Sequence, residues 1–431
     1  MSKLQKVFGN VEVNRDLLLL LTIGGMYSLG IALSNAFVNV YLWKQSGSFL
    51  DLGIYNLTIV IMQPITFIIA GRWAKKIDRV IVFRLGVAFL AVFYLSVLLI
   101  GDRAADNLIL LGGLLGIGSG FYWLSFNVLT FEITEPETRD FFNGFLGVMT
   151  SSAGMIGPIV AGFVISRLAG DTGYKTIFSL SLALFFCAVI LSLFLKRRHA
   201  NGRFLLMDVL KERKRNMNWR MITNAHFFQG LREGTFIFVI GVLVFITTGS
   251  ELALGKYGLI NSAVAFVFYY LATRMITKKM RKKFILAGGI LLYASIFLLL
   301  FDLTYAKLII YAISIAVAYP LLLVPYISLT YDVIGRSWNA GEARIEYIVV
   351  RELFLNMGRI TSILLFILSV TLFDEKQSIP FLLAIIGAGH SCIYFFIRKV
   401  SLPETNEPID KKEVNGQKKM PEPNLVDGES S

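Results

Sequence analysis

Twelve stretches of this chain are long and apolar enough to cross a lipid bilayer, where a spanning helix needs about 20 such residues at 1.5 Å apiece. They cover residues 17–43, 51–71, 80–101, 107–130, 141–166, 174–195, 221–248, 256–276, 284–302, 306–331, 345–373 and 378–398. Within lipid a backbone must satisfy its own N–H and C=O groups, so each stretch is read as a helix. Composition agrees: the mean hydropathy is +0.66 and charged residues make up 16%, against about a quarter in an ordinary globular chain. The expected fold class is an all-α membrane protein. The first stretch exceeds a signal-peptide core and no small-residue cleavage pattern follows it, so it is expected to remain as a helix.

The formal charge of +13 acquires meaning only by position. Of the 42 Lys and Arg residues, 32 fall on the side of the N-terminus, 7 on the other side, and Arg232, Arg351 and Arg359 inside spans. The positive-inside rule then puts both termini of a multi-pass cell-membrane protein in the cytoplasm, among membrane lipids, and leaves no call for a nucleic acid partner. Cys187 and Cys392 lie in separate apolar stretches, so neither a disulfide framework nor a zinc site is expected. No nucleotide loop, metal-spaced cluster or Ser/His/Asp arrangement is present in the sequence. An enzyme, a metal and a cofactor are therefore not expected, and any transport must draw on a gradient.

A cytoplasmic tail (1–16) precedes a first six-helix bundle (17–196), and a basic loop (197–220) leads to a second bundle (221–400) and a polar tail (401–431) read as disordered. In the loop, Leu206, Val209 and Leu210 share a helical face beside Lys211, Arg213, Lys214 and Arg215, which suits either an amphipathic helix on the inner leaflet or a solvated linker. The bundles resemble each other. Residues 74–79 match 277–282 at an offset of 203, and Gly53-Ile54-Tyr55-Asn56 matches Gly258-Leu259-Ile260-Asn261 at an offset of 205. Two matches at nearly one offset favour duplicated, pseudo-symmetric halves.

Two local motifs extend this. Between the second and third spans, Gly71-Arg72-Trp73-Ala74-Lys75-Lys76-Ile77-Asp78-Arg79 carries a glycine and a basic cluster. In the fifth span, Gly144, Ala153, Gly157-Pro158 and Ala161-Gly162 form a small-residue face that admits another helix closely, and the proline bends the helix. With six plus six spans and a long basic central loop, the chain resembles the major facilitator superfamily (MFS) over about residues 10–400. That resemblance implies twelve helices in two bundles rocking about a central site. The superfamily loop has an acidic residue where Lys75 stands and a glycine where Asp78 stands. The acid meets a helix N-terminus of the other half; a lysine is not expected to do so, which leaves Asp78 one turn later. The fifth-span motif resembles the superfamily's antiporter signature with two glycines replaced by alanine, although any glycine-rich packing face gives a similar string.

Ionisable residues in mid-span cost about 2.5 kcal/mol or more each on insertion scales, which makes each a functional candidate. Arg232 and Glu233 follow Gln229 in the seventh span, about 18 Å deep, and at least one is expected to face the centre. In the eleventh span Glu352, Asn356 and Arg359 share one stripe beside Arg351. These groups form either a network in which one carboxylate exchanges a proton, or a permanent lattice that holds the second half together.

The first half offers polar but uncharged counterparts: Asn35 and Asn39, Asn56 and Gln63, then Tyr122, Trp123 and Asn127. The superfamily lines its cavity with helices one, four, seven and ten, which implies that these residues face a substrate together with Tyr319 and Tyr326 of helix ten. Interhelical hydrogen bonding is the alternative for each of them. Glu132, Glu135, Glu137 and Asp140 form an acidic loop suited to solvation or to latching the halves, and His226 is read as a satisfied side chain.

The expected function is secondary active transport of a small organic or amphipathic solute by alternating access, as proton-coupled export. A lipid or glycolipid flippase, with Arg232, Arg351 and Arg359 receiving an anionic headgroup, and a membrane scaffold binding a partner enzyme stand as alternatives.

Overall fold

The computed structural model describes residues 14–133, 136–197 and 202–402, and every element among them is helical. The first half contains α1 (Arg15–Ser46), α2 (Phe49–Lys76), α3 (Arg79–Ile100), α4 (Leu108–Ile133), α5 (Pro136–Arg167) and α6 (Thr172–Leu193). The second contains α7 (Met217–Thr248), α8 (Glu251–Met275), α9 (Arg281–Ile296), α10 (Tyr305–Gly335), α11 (Arg344–Leu372) and α12 (Glu375–Ile397). Eleven apolar stretches among the described residues are long enough to span a bilayer, but Arg79–Thr130 covers 52 residues. One straight helix of that length would reach about 78 Å, far beyond a hydrocarbon core. Gly101, at φ 54°, turns the chain through the short segment Gly101–Asn107, so the stretch folds as the α3–α4 hairpin and gives twelve spans.

The turns carry the chemistry that ends and starts helices. Gly47 closes α1 in the left-handed region and Ser48 caps α2; Gly249 closes α7 and Ser250 caps α8 in the same way. One Gly-Ser dipeptide thus performs the same two tasks at matching places in both halves, a further trace of duplication.

The two most extensive seams between the halves are α2 against α11 and α5 against α8. Gly53 packs on Ile367 and Gly71 on Val349 at the first. At the second, Pro158 and Gly162 lie against Gly255, and Pro158 also against Gly258, while Gly157 packs on Ala32 of α1. The central loop is partly helical. Leu206–Arg215 buries Val209, whose carbonyl accepts from Trp219 Nε1 at 3.2 Å. Arg213 donates to Thr223 Oγ1 and Asn224 Oδ1, both at 2.8 Å, which ties this linker helix to α7. Burial, with Arg220 beside it, lowers the pKa of Arg213 from its ordinary value.

Candidate functional site

The site is built on the contact between α7 and α11. A Cβ on Gly230 would collide with the Leu355 carbonyl, and one on Gly358 with the Phe227 carbonyl. Only glycine at both positions lets the two backbones touch. Thr235 and Ser362 extend the contact with a hydroxyl pair at 2.8 Å and a Thr235 N–H to Ser362 Oγ bond at 3.2 Å. This closeness brings the charges of the two helices within reach of one another.

Glu233 is the hub. Its Oε2 accepts from Arg359 Nη2 at 2.7 Å, and its Oε1 accepts from Gln229 Nε2 and Tyr319 Oη, both at 2.8 Å. His390 of α12, fully buried and without a hydrogen bond to either ring nitrogen, places Nε2 4.0 Å from Glu233 Oε1. Glu352 pairs not across helices but with its neighbour Arg351, at 2.6 Å. The charges therefore form two separate pairs rather than one chain through Glu352. Arg232 has no carboxylate partner among the described residues. Its Nη2 donates to Tyr311 Oη at 3.3 Å, its guanidinium lies 4.5 Å from the centre of the Phe236 ring, and its Nε has no partner.

These groups open onto a cavity of about 730 Å³ lined by His226, Gln229, Arg232, Glu233, Tyr319, Arg351, Glu352 and Arg359, with apolar residues of α7, α8 and α10 between them. Among the described residues, Ala36 and Pro158 are the first half's contributions to its lining. A second lobe, of about 650 Å³, is lined by Asn35, Asn39, Asn56, Gln63, Trp123 and Asn127 from the first half. Arg351, Glu352, Leu355 and Arg359 border both lobes. In the second lobe Asn56 Nδ2 donates to Asn39 Oδ1 at 2.8 Å, so these two amides also serve each other.

Three residues expected at a cavity line neither lobe. Tyr122 is buried and stacks on Tyr27 with ring centres 3.9 Å apart. Tyr326 is buried with its hydroxyl 2.5 Å from His226 Nδ1. Asn356 is fully buried and its amide returns to the Glu352 carbonyl at 3.0 Å. In each case the helix face that carries the residue packs on a neighbouring helix. His390 was missed by the sequence reading, although a lone histidine in mid-span meets the rule that selected the arginines and glutamates.

The Lys75 expectation is overturned. Its Nζ reaches the start of α11 and donates to Glu346 Oε1 at 2.6 Å, to the Glu342 carbonyl at 2.8 Å and to the Arg203 carbonyl at 3.0 Å. Glu346 Oε1 also accepts from Leu205 N–H at 2.8 Å. A carboxylate at the N-terminus of α11 receives the ammonium, so the link forms with its charges exchanged. Asp78 stays within its own half, accepting from Val80 N–H at 2.7 Å as the cap of α3, with Arg197 at 3.5 Å. Arg79 pairs with Glu132 at 2.7 Å, also within the first half. Glu135 and the side chains of Glu137 and Asp140 lie outside the described residues, and Gly144 lies within α5. On the opposite face Lys44 at the end of α1 pairs with Glu251 at the start of α8 at 3.0 Å, and Tyr174 Oη donates to the same carboxylate oxygen at 2.9 Å.

Comparison with known proteins accords with this architecture. The chain is 65% identical over 429 residues to a Bacillus subtilis (strain 168) protein named "Uncharacterized protein YqgE", with all of both chains covered. It is 60% identical over 211 residues to the Geobacillus stearothermophilus "Uncharacterized protein in sodM 3'region", covering 49% of this chain and 99% of that one. The family model of the Major Facilitator Superfamily matches residues 20–343. With twelve spans in two halves around a lined cavity, this chain belongs to the major facilitator superfamily of membrane transporters.

Proposed function

We propose that this transporter exports a small amphipathic organic solute across the cell membrane in exchange for protons, with both termini and the basic face in the cytoplasm. The observation that carries the reading is the pair of contiguous lobes between the halves, one walled by charge and the other by amides and Trp123. Each lobe falls in the range of about 300–1,000 Å³ typical of small-molecule sites, which favours a solute over a two-chain lipid. Glu233 is the carboxylate assigned to the proton. It faces the cavity, is held by Arg359, Gln229 and Tyr319, and has His390 beside it. Protonation would weaken the Arg359 pair and free a cation to the solute.

Vesicles containing the purified protein, a panel of neutral, cationic and anionic amphipathic dyes, and an imposed pH gradient test this. At least one dye should move in a gradient-dependent way, and Glu233→Gln should reduce that flux about tenfold or more. If no dye moves, the carrier reading fails. If Glu233→Gln and Glu352→Gln both keep full gradient-driven flux, proton coupling through this network fails.

A further inference from the structure

Among the described residues, the charged wall of the cavity holds three guanidinium groups, Arg232, Arg351 and Arg359, but two carboxylates, Glu233 and Glu352. Both carboxylates are taken: Arg359 holds Glu233 and Arg351 holds Glu352. Among the described residues the surplus cation is therefore Arg232, and its position is unusual for a lone charge. It is 5% exposed, its Nε is unpartnered, and its one hydrogen bond goes to a neutral hydroxyl, Tyr311 Oη. Burying an unpaired guanidinium in an apolar wall is unfavourable, and it becomes favourable only when an anion joins it. The Tyr257 hydroxyl, on the lining of the same cavity, makes no hydrogen bond among the described residues.

We infer that Arg232 forms an anion subsite, with Tyr311 and Tyr257 as hydroxyl donors, and that the solute carries a single acidic group on an apolar body. The acid occupies the guanidinium that no protein carboxylate satisfies, and Phe236, Ile237, Ile240 and Leu323 face the apolar body. A planar, permanently charged fork suits a carboxylate, sulfonate or phosphate, whereas a cationic solute would be repelled at this point. The acid comes from a soluble amphiphile or from the headgroup of an anionic lipid, and the test separates the two. The inference rests on the carrier reading for the identity of the cavity and adds the sign of the charge.

The test uses the full-length protein in nanodiscs of zwitterionic lipid and two matched dyes, anilinonaphthalene sulfonate and its uncharged analogue phenylnaphthylamine. Binding is measured at equilibrium without a gradient, against nanodiscs lacking protein. The sulfonate should bind at least about tenfold more tightly than the neutral dye, the scale of one charge-assisted hydrogen-bonded contact. Arg232→Gln should abolish that preference and Arg232→Lys should restore part of it. Tyr311→Phe should weaken sulfonate binding alone, which keeps the idea testable if Arg232→Gln misfolds. Equal affinity for the two dyes, or a preference that survives Arg232→Gln, overturns the inference. Doping phosphatidylglycerol into the nanodisc marks the source: Arg232-dependent displacement of the sulfonate identifies a lipid headgroup, and unchanged binding identifies a soluble acid. Selective binding without flux in vesicles sinks the carrier reading alone. Flux that ignores the sulfonate sinks the anion subsite alone.

Discussion

The two faces of the molecule carry the same ion pair in different surroundings. On each, a lysine ending a helix of the first half meets a glutamate starting a helix of the second: Lys75 with Glu346 on the basic face, Lys44 with Glu251 on the opposite one. Glu346 is fully buried, and its partner Lys75 has two backbone carbonyls besides. Lys44 is 39% exposed and shares its acceptor with Tyr174. A buried pair is costly to break because one charge is stranded, whereas an exposed pair is replaced by water at little cost. The difference means that identical chemistry makes one closure firm and the other light. On the proposed cycle, the basic face opens only when something offsets a substantial penalty, and the opposite face opens freely.

The largest expected effect comes from Glu346→Ala. It strands the Lys75 ammonium and the Leu205 N–H, and should cost roughly 3–5 kcal/mol, read from unfolding of the protein in nanodiscs. A loss no greater than that of the exposed pair would erase the contrast between the faces. Exchanging the charges, Lys75→Glu with Glu346→Lys, should return roughly half of the loss. The Coulomb attraction survives the exchange, but the bonds to Glu342, Arg203 and Leu205 do not. Full recovery would mean that those backbone bonds contribute nothing. Next in size is Glu251→Gln, which removes the pair with Lys44 and weakens the Tyr174 bond, for about 1 kcal/mol in the same assay. Lys44→Ala should come last, at about 0.5 kcal/mol or less and fading in high salt. Salt-insensitive destabilisation there would show that this pair is less open to water than its exposure indicates.

Much of the fold was legible because lipid leaves few choices. Span length fixes the number of helices, and the Gly-Asp-Arg at 101–103 marks the break that hydropathy alone runs through. Membership of the cavity was less legible, since a polar residue on a helix does not reveal which neighbour its face meets. Asn35 and Trp123 reach the second lobe while Tyr122, next to Trp123, turns into the helix packing. The Lys75–Glu346 pair joins residues 271 apart. Nothing local predicts it: only the adjacency of α2 and α11 brings them together, so the motif read in isolation pointed to Asp78 instead of Lys75. His390 was hidden for the opposite reason, having a clear chemical identity and no neighbour in sequence to argue with.

The glycines at 230 and 358 have a mechanical corollary. Two rods that meet backbone to backbone at these two points, and are pinned beyond them by the Thr235–Ser362 hydroxyl pair, behave as a single stiff beam. Glu233 and Arg359 ride on that beam from opposite rods. On the proposed cycle, rocking of the halves would carry the couple along intact rather than prise it apart. On that cycle the couple parts through a change of charge, a proton arriving on the Glu233 carboxylate.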